Sequence, residues 1–239
     1  MDAAVTRPLA LATLLRRAGL LVPRYVGRGT ISGIAHDSRR VSKGAFFCAM
    51  ESVSGRDADI LAHVNEAVRG GAVAVLADPK VLKRTVLGAG VAALPCADVR
   101  GAYARLCAAF YGFPARRLGL SGITGTNGKT TTSFLLRGLL DPQGLRSALV
   151  GTVGYWVGRR FQPAPNTTPS ALELQALLAA AVRRGCRFAV MEVSSHALDQ
   201  RRVEGLTFKA AVFTNLTRDH LDYHKTLAAY ARAKARLFS

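Results

Sequence analysis

The run Gly125-Thr126-Asn127-Gly128-Lys129-Thr130-Thr131-Thr132 limits what this chain can fold into more than any other stretch. It follows the short apolar segment Leu118-Gly119-Leu120 and opens a helix-patterned segment from Thr132 to about Leu140. A glycine-rich turn between strand and helix lets backbone N–H groups converge on phosphate oxygens, and the helix N-terminus adds partial positive charge. Lys129 is spaced to reach the β- and γ-phosphates, and the Thr130 hydroxyl to bind Mg²⁺. Ile123 stands where the general G-x-x-x-x-G-K-[ST] pattern has its first glycine, leaving a tighter G-x-x-G-K-T turn. A loop of this composition can merely cap a helix. Gly-Lys-Thr-Thr between strand and helix points instead to a nucleoside triphosphate site built from Gly125, Thr126, Asn127, Gly128, Lys129, Thr130 and Thr131.

At 239 residues there is room for one large domain or two ordinary ones. An apolar fraction of 49% with 20% charged residues is that of a globular chain. No stretch is apolar for long enough to span a bilayer. Leu9 to Leu15 resembles a weak signal-peptide core, but Arg16-Arg17 follows at once without a small-residue cleavage site, so an amphipathic first helix is expected. Cys48, Cys96, Cys107 and Cys186 are scattered without a CxxC pair and read as buried free thiols of a cytoplasmic protein. The net charge of +18 comes largely from dispersed arginine pairs, with no basic tail and few aromatics between them. That pattern suits a field that gathers anionic small molecules better than a nucleic-acid surface.

Along the chain, strands are expected at Ile31–His36 and Ala45–Met50 around the turn Asp37-Ser38-Arg39, and at Ala72–Leu76, with helices at Ile60–Arg69 and Gly101–Tyr111. Gly112-Phe113-Pro114 breaks the last of these, giving domains of residues 1–114 and 115–239. Beyond the phosphate loop come strands at Ser147–Val150, Phe188–Val193 and Ala210–Thr214, helices at Ser170–Arg184 and Thr226–Phe238, and a Gly/Pro-rich connection over Gly151–Pro169. Alternation of this kind implies an α/β fold with a mostly parallel sheet and ligands at the strands' carboxyl ends.

Polar chemistry collects at those ends. Glu192 closes an apolar strand, where an acidic residue can complete a Mg²⁺ shell. The next strand leads into Asn215-Leu216-Thr217-Arg218-Asp219-His220-Leu221-Asp222-Tyr223-His224. His220 and His224, at i and i+4, are spaced to share a metal, and spacing alone does not say which is the ligand.

Together with the phosphate loop, the segments Asn166-Thr167-Thr168-Pro169, Met191-Glu192-Val193-Ser194-Ser195-His196 and Asn215 to His224 resemble the Mur ligases. Within that family the pattern is most similar to the branch that adds the third residue of the peptidoglycan stem peptide. The resemblance runs from about His36 to the end of the chain. It implies an N-terminal α/β domain binding a UDP-linked substrate, a P-loop-type central domain binding ATP, and a C-terminal domain that this sequence does not include. The implied reaction is ATP-dependent amide ligation, adding a diamino acid (diaminopimelate ahead of lysine) to UDP-N-acetylmuramoyl-L-alanyl-D-glutamate through an acyl phosphate. ATP and Mg²⁺ are the implied cofactors, and a monomer without nucleic-acid or membrane partners is the implied state.

The same resemblance assigns Ser38 to uridine binding, and Asn166, Thr167, Thr168, Ser194, Gln200 and Arg202 to the muramoyl-dipeptide. It assigns Thr130, Glu192, His220 and Lys234 to metal ions, with Lys234 carbamylated and with Arg232 and Arg236 as candidate cationic neighbours that depress its pKa. Lys129, Glu192, His220 and Lys234 are the expected catalytic set; no general base is identified. Asp59-Ile60 stands where the family has Asp-Gly, and Glu51 to Asp57 is atypical. The implied missing sheet strands and C-terminal domain make this chain an expected ligase fragment, inactive alone, with an uncovered sheet edge. A non-catalytic binding remnant, a nucleic-acid NTPase and a folylpolyglutamate-synthase-like ligase are the alternative readings. The Asn-Thr-Thr-Pro and Ser-Ser-His segments disfavour the last.

Overall fold

A computed structural model describes residues 8–23, 29–50 and 57–239, the side chains of Asp57 and Ala58 excepted. The atypical segment from Glu51 to Arg56 lies outside them. The chain divides into two compact units, one ending at Gly112 and one running Phe113–Ser239.

The first unit begins with β1 (Leu9–Ala10), α1 (Leu11–Arg17) and β2 (Thr30–Ile31), β1 and β2 pairing antiparallel. Leu11, Leu14 and Leu15 fall on one buried face of α1, and Arg16 and Arg17 lie in its last turn, where cations offset the helix dipole. There follow β3 (Gly33–Ala35), β4 (Ala45–Cys48), α2 (Asp57–Arg69), β5 (Ala72–Ala77), α3 (Pro79–Lys83), β6 (Ala92–Pro95) and α4 (Val99–Phe110). Strands β3-β4-β5-β6 form a parallel sheet in that order. The buried, uninterrupted apolar strands β4 and β5 fit a sheet covered on both faces. Phe47, Ile60, Val64 and Val75 pack in its core.

The second unit contains β7 (Gly119–Thr124), α5 (Lys129–Leu140), β8 (Ser147–Val150), β9 (Tyr155–Val157), β10 (Arg160–Gln162), α6 (Ala171–Arg183), β11 (Phe188–Glu192), α7 (Ser195–Asp199), β12 (Ala210–Phe213), α8 (Leu221–His224) and α9 (Leu227–Ala235). Its sheet runs β10-β9-β8-β11-β7-β12. Strands β8, β11, β7 and β12 are parallel; β9 and β10 add an antiparallel hairpin at one side. At the other side β12 is the outer strand, with Val212 and Phe213 exposed. Leu120, Val150, Leu174, Leu177 and Met191 lie in one core cluster.

Three expectations need correction. Helix α5 starts at Lys129 rather than Thr132, because Gly128 caps it in the left-handed conformation (φ +85°) and lets the helix begin at once. The Gly151–Pro169 connection holds the β9–β10 hairpin, whose turn uses Gly158 at φ +61°. Cys96 is only half-buried, whereas Cys48, Cys107 and Cys186 are buried free thiols as expected. Among the described residues no helix is long and apolar enough to cross a membrane.

Leu120 has no exposed surface. Replacing it with alanine should destabilise the second unit by about 2–5 kcal/mol, read from urea denaturation followed by the signal of Trp156; a loss under about 1 kcal/mol would contradict this core assignment.

Candidate functional site

The four parallel strands of the second sheet end side by side, and their loops enclose a cavity of about 240 Å³. Thr126 to Thr131 line it after β7, Thr152 after β8, Glu192, Ser194 and Ser195 at and after β11, and His220 after β12; Thr167, Tyr230 and Lys234 complete it.

The loop after β7 is held from the β12 side. Thr214 Oγ1 donates to the carbonyl of Asn127 at 2.6 Å. The Asn215 side chain accepts from Asn127 N–H at 3.0 Å and donates to Asn127 O at 3.1 Å. Gly125 adopts φ +141°, and a Cβ there would lie 1.9 Å from Thr214 Oγ1. Only glycine allows that approach. The first hydrogen bond from an α5 amide to the loop is Thr132 N–H to Gly128 O. The amides before it are therefore available to an anion, as at any helix N-terminus.

Glu192 has no exposed surface. Its carboxylate accepts from Thr130 Oγ1 at 2.9 Å, from Thr152 N–H at 3.1 Å and from Thr152 Oγ1 at 3.0 Å. Among the described residues it has no ion-pair partner. A buried carboxylate served only by neutral donors is under-compensated, which favours a cation beside it.

Two ammonium groups line the same cavity. Lys129 Nζ donates to Gly125 O at 2.9 Å and to Thr126 O at 2.8 Å, and Lys234 Nζ donates to the same Gly125 O at 2.7 Å. Lys234 is 1% exposed, and its ammonium lies 4.4 Å from the centre of the Tyr230 ring. Burial, then the charge of Lys129, lowers its pKa from 10.5 to about 8. Burial likewise lowers that of Lys129, partly offset by Glu192 and Asp219. The cationic neighbour of Lys234 is thus Lys129, not Arg232 or Arg236. Arg232 is exposed, and Arg236 turns to Asp199 at 3.2 Å and the Leu198 carbonyl.

The two histidines part company. His220 lines the cavity, in a left-handed backbone conformation (φ +52°) with its N–H bonded to Asp219 Oδ1 at 2.8 Å. His224 is buried, with Nε2 3.0 Å from Ser195 Oγ, and does not line the cavity. The i, i+4 spacing therefore does not bring both rings to one metal. His196 lies between them, its ring centre 4.9 Å from that of His220 and 5.5 Å from that of His224. Burial and the neighbouring histidines lower its pKa.

Of the residues expected to meet the muramoyl-dipeptide, Thr167 and Ser194 line the cavity. Thr168 is buried, its hydroxyl donating to Glu192 O at 2.8 Å and accepting from Ser194 N–H at 3.0 Å. Asn166 is exposed, and its carbonyl accepts from the Tyr155 hydroxyl. Arg202 donates through Nε and Nη2 to Gln200 Oε1 at 3.0 and 2.6 Å and through Nη1 to Thr168 O at 2.8 Å. Gln200 and Arg202 thus brace the loop rather than line the cavity. In the first unit Ser38 is buried with its hydroxyl on Glu66 at 2.5 Å, and the Asp37 carboxyl, bonded by Arg39, is lowered to about 2. Thr152 and Tyr230 are cavity residues that sequence reasoning passed over. Neither sits in a pattern that distinguishes it from a loop threonine or a helix tyrosine.

The Lys234 shift has a signed consequence. Between pH 8 and 10.5 the unfolded chain holds a proton on this lysine that the folded protein has released, so stability rises with pH across that window. In carbon-dioxide-free buffer, the stability of Lys234→Met relative to wild type should fall by about 3 kcal/mol from neutral pH to the top of the window. Urea denaturation at several pH values reads this, and a pH-independent difference would contradict the assignment.

Residues 123–239 match the family described as Mur ligase middle domain, and residues 30–111 that described as Mur ligase family, catalytic domain. The UDP-N-acetylmuramoyl-L-alanyl-D-glutamate--2,6-diaminopimelate ligase of Geobacter sulfurreducens is 44% identical over 209 residues, covering 87% of this chain and 40% of that protein. The protein of the same name from Gloeobacter violaceus is 46% identical over 234 residues, covering 97% and 46%. A solved structure of a ligase of that name superposes with a TM-score of 0.78 at 34% identity, over 96% of this chain and 45% of the other. The chain spans under half the length of these relatives. Matches in both units, and relatives this similar along most of the sequence, settle the kinship: the chain belongs to the Mur ligase family.

Proposed function

We propose that this chain forms the UDP-substrate-binding and ATP-binding parts of a ligase that joins a diamino acid, diaminopimelate ahead of lysine, to UDP-N-acetylmuramoyl-L-alanyl-D-glutamate. Residues 1–114 take the UDP-linked substrate, with Ser38 at the uridine, and residues 115–239 take ATP. The observation that carries this reading is the gathering of Lys129, Thr130, Glu192, His220 and Lys234 around one cavity.

The residues present fit a magnesium ion. Glu192 is a buried carboxylate with neutral donors only, and the Thr130 hydroxyl that touches it has lone pairs left for a cation. Among the described residues no three of His, Cys, Asp and Glu gather closely enough to hold a metal by themselves. That suits Mg²⁺, which is commonly bound by one or two carboxylates plus substrate phosphates. Thr130 and Glu192 would hold one ion, and His220 and a carbamylated Lys234 a second. Carbamylation needs a neutral amine, and the lowered pKa of Lys234 supplies one near neutral pH. When bound, the ions would neutralise charge on the phosphates.

Residues of this chain carry the nucleotide part of the reaction. The loop amides and Lys129 orient the triphosphate with its γ-phosphoryl group toward the substrate carboxylate. A carboxylate is a poor electrophile, so its oxygen first takes the phosphoryl group and ADP leaves. An amine then attacks the acyl carbon, and phosphate departs from the tetrahedral intermediate. Thr167 and Ser194, with Asn166, Thr168, Gln200 and Arg202 shaping the adjoining loops, hold the muramoyl-dipeptide. Free thiols suit a cytoplasmic protein, and the whole ligase is proposed to act as a monomer.

Titration with a fluorescent ATP analogue tests the nucleotide reading. Lys129→Ala should weaken binding by at least about 10-fold, the worth of a charge-assisted hydrogen bond. Glu192→Gln should remove most of the enhancement by Mg²⁺. Wild-type affinity in Lys129→Ala, or undiminished magnesium dependence in Glu192→Gln, would overturn it.

A further inference from the structure

The Glu192 carboxylate depends on one residue for two of its three hydrogen bonds. Thr152 donates its N–H to Oε1 at 3.1 Å and its hydroxyl to Oε2 at 3.0 Å, while Thr130 supplies the third bond, to Oε2 at 2.9 Å. Thr152 also lies 3.0 Å from Thr167, hydroxyl to hydroxyl. The order of protons along this chain follows from valence. A carboxylate only accepts, and a threonine hydroxyl has one proton. Thr130 and Thr152 therefore both donate to Glu192, and Thr152, its proton committed, accepts from Thr167. Each hydroxyl is fixed in one direction. Thr130 is left with lone pairs only, and Thr167 likewise presents lone pairs to the cavity it lines.

We infer that Thr152 is a positioning residue for the cation site: its paired donors fix the rotation of the Glu192 carboxylate and keep the Thr130 lone pairs turned outward, and its hydroxyl links that site to Thr167 in the neighbouring loop. This rests on the proposal that Glu192 and Thr130 hold Mg²⁺. Thr152 sits on the segment just after β8, where Gly151 lets the backbone pass close to the carboxylate; a Cβ at 151 would fall 2.2 Å from Oε1. Partners of this kind behind a metal ligand set its orientation, and removing one commonly costs 10–100-fold in metal affinity.

The experiment uses the chain with Mg²⁺ and a fluorescent ATP analogue. Thr152→Val keeps the shape and the N–H but loses the hydroxyl; Thr152→Ser restores the hydroxyl. Thr152 is exposed, so neither change leaves a cavity in the core, and thermal melts should coincide with wild type. The magnesium concentration giving half-maximal enhancement of nucleotide binding should rise about 10-fold in Thr152→Val and return to within about 2-fold of wild type in Thr152→Ser. Nucleotide affinity in excess chelator should change less than the magnesium response, because the hydrogen bonds of Thr152 go to Glu192 and Thr167 and not to the phosphate-loop backbone. Wild-type magnesium dependence in Thr152→Val would overturn the inference while leaving the site reading standing. A wild-type chain that binds nucleotide without any response to magnesium would overturn both.

Discussion

A carboxylate with no exposed surface has lost its hydration, and the loops around Glu192 are arranged to replace it in part. Strand β11 lies between β7 and β8, and the register sets Glu192 opposite Ile123, the second-last residue of β7. That position puts the side chain where the loops after β7 and β8 converge. One loop contributes the Thr130 hydroxyl and the other the Thr152 amide and hydroxyl. Neutral donors lower the energy of a buried anion without cancelling its charge. The remaining imbalance is what the proposed cation would offset.

Around the Gly125 carbonyl the imbalance is reversed. Lys129 and Lys234 both direct their ammonium groups at the carbonyl of Gly125. Burial lowers the pKa of both, and for Lys234 the charge of Lys129 lowers it further, so both release protons more readily than a free lysine. An anion entering between them relieves the repulsion. A cavity that holds a buried carboxylate with neutral hydrogen-bond donors and two ammonium groups crowded on one carbonyl is complementary to a metal-bound polyphosphate. It is less well matched to either ion alone.

Much of this was legible because its parts are local. Strand β8 and the strand part of Phe188–Val193 stand out as short apolar runs, and Gly-Lys-Thr-Thr carries its own mechanism. The true start of α5 was hidden by three consecutive threonines, β-branched residues that argue against a helix by propensity; the left-handed Gly128 cap overrides that bias. The β9–β10 hairpin was hidden because each strand has only three residues. Lys234 is singled out by the family resemblance alone, since burial of one lysine on an otherwise polar helix is decided by the distant Gly125 carbonyl and the Tyr230 ring. The separation of His220 from His224 likewise escapes spacing. It depends on a left-handed residue at 220, which breaks the helical geometry that an i, i+4 pair assumes.

The loops after β7 and β12 behave as one body. Thr126 N–H bonds to Asn215 O at 2.9 Å, Thr217 N–H to Thr126 Oγ1 at 3.0 Å, and the Asn215 side chain grips Asn127 from both sides. The Tyr230 hydroxyl, 3.2 Å from Thr126 Oγ1, ties α9 to the same knot. His220 rides on the second of these loops and Lys234 on α9, so their positions relative to the Gly125–Thr131 turn are set by the bonds that shape that turn. β12 is the outer strand and is paired only on its β7 side. Its register therefore depends on that one ladder and on this knot at its carboxyl end. Any shift of β12 along β7 would pull Asn215 from Asn127, open the loop and carry His220 away from Glu192 together. The proposed nucleotide site and the proposed second cation site are thus coupled through a few hydrogen bonds at a sheet edge, not held independently by the core.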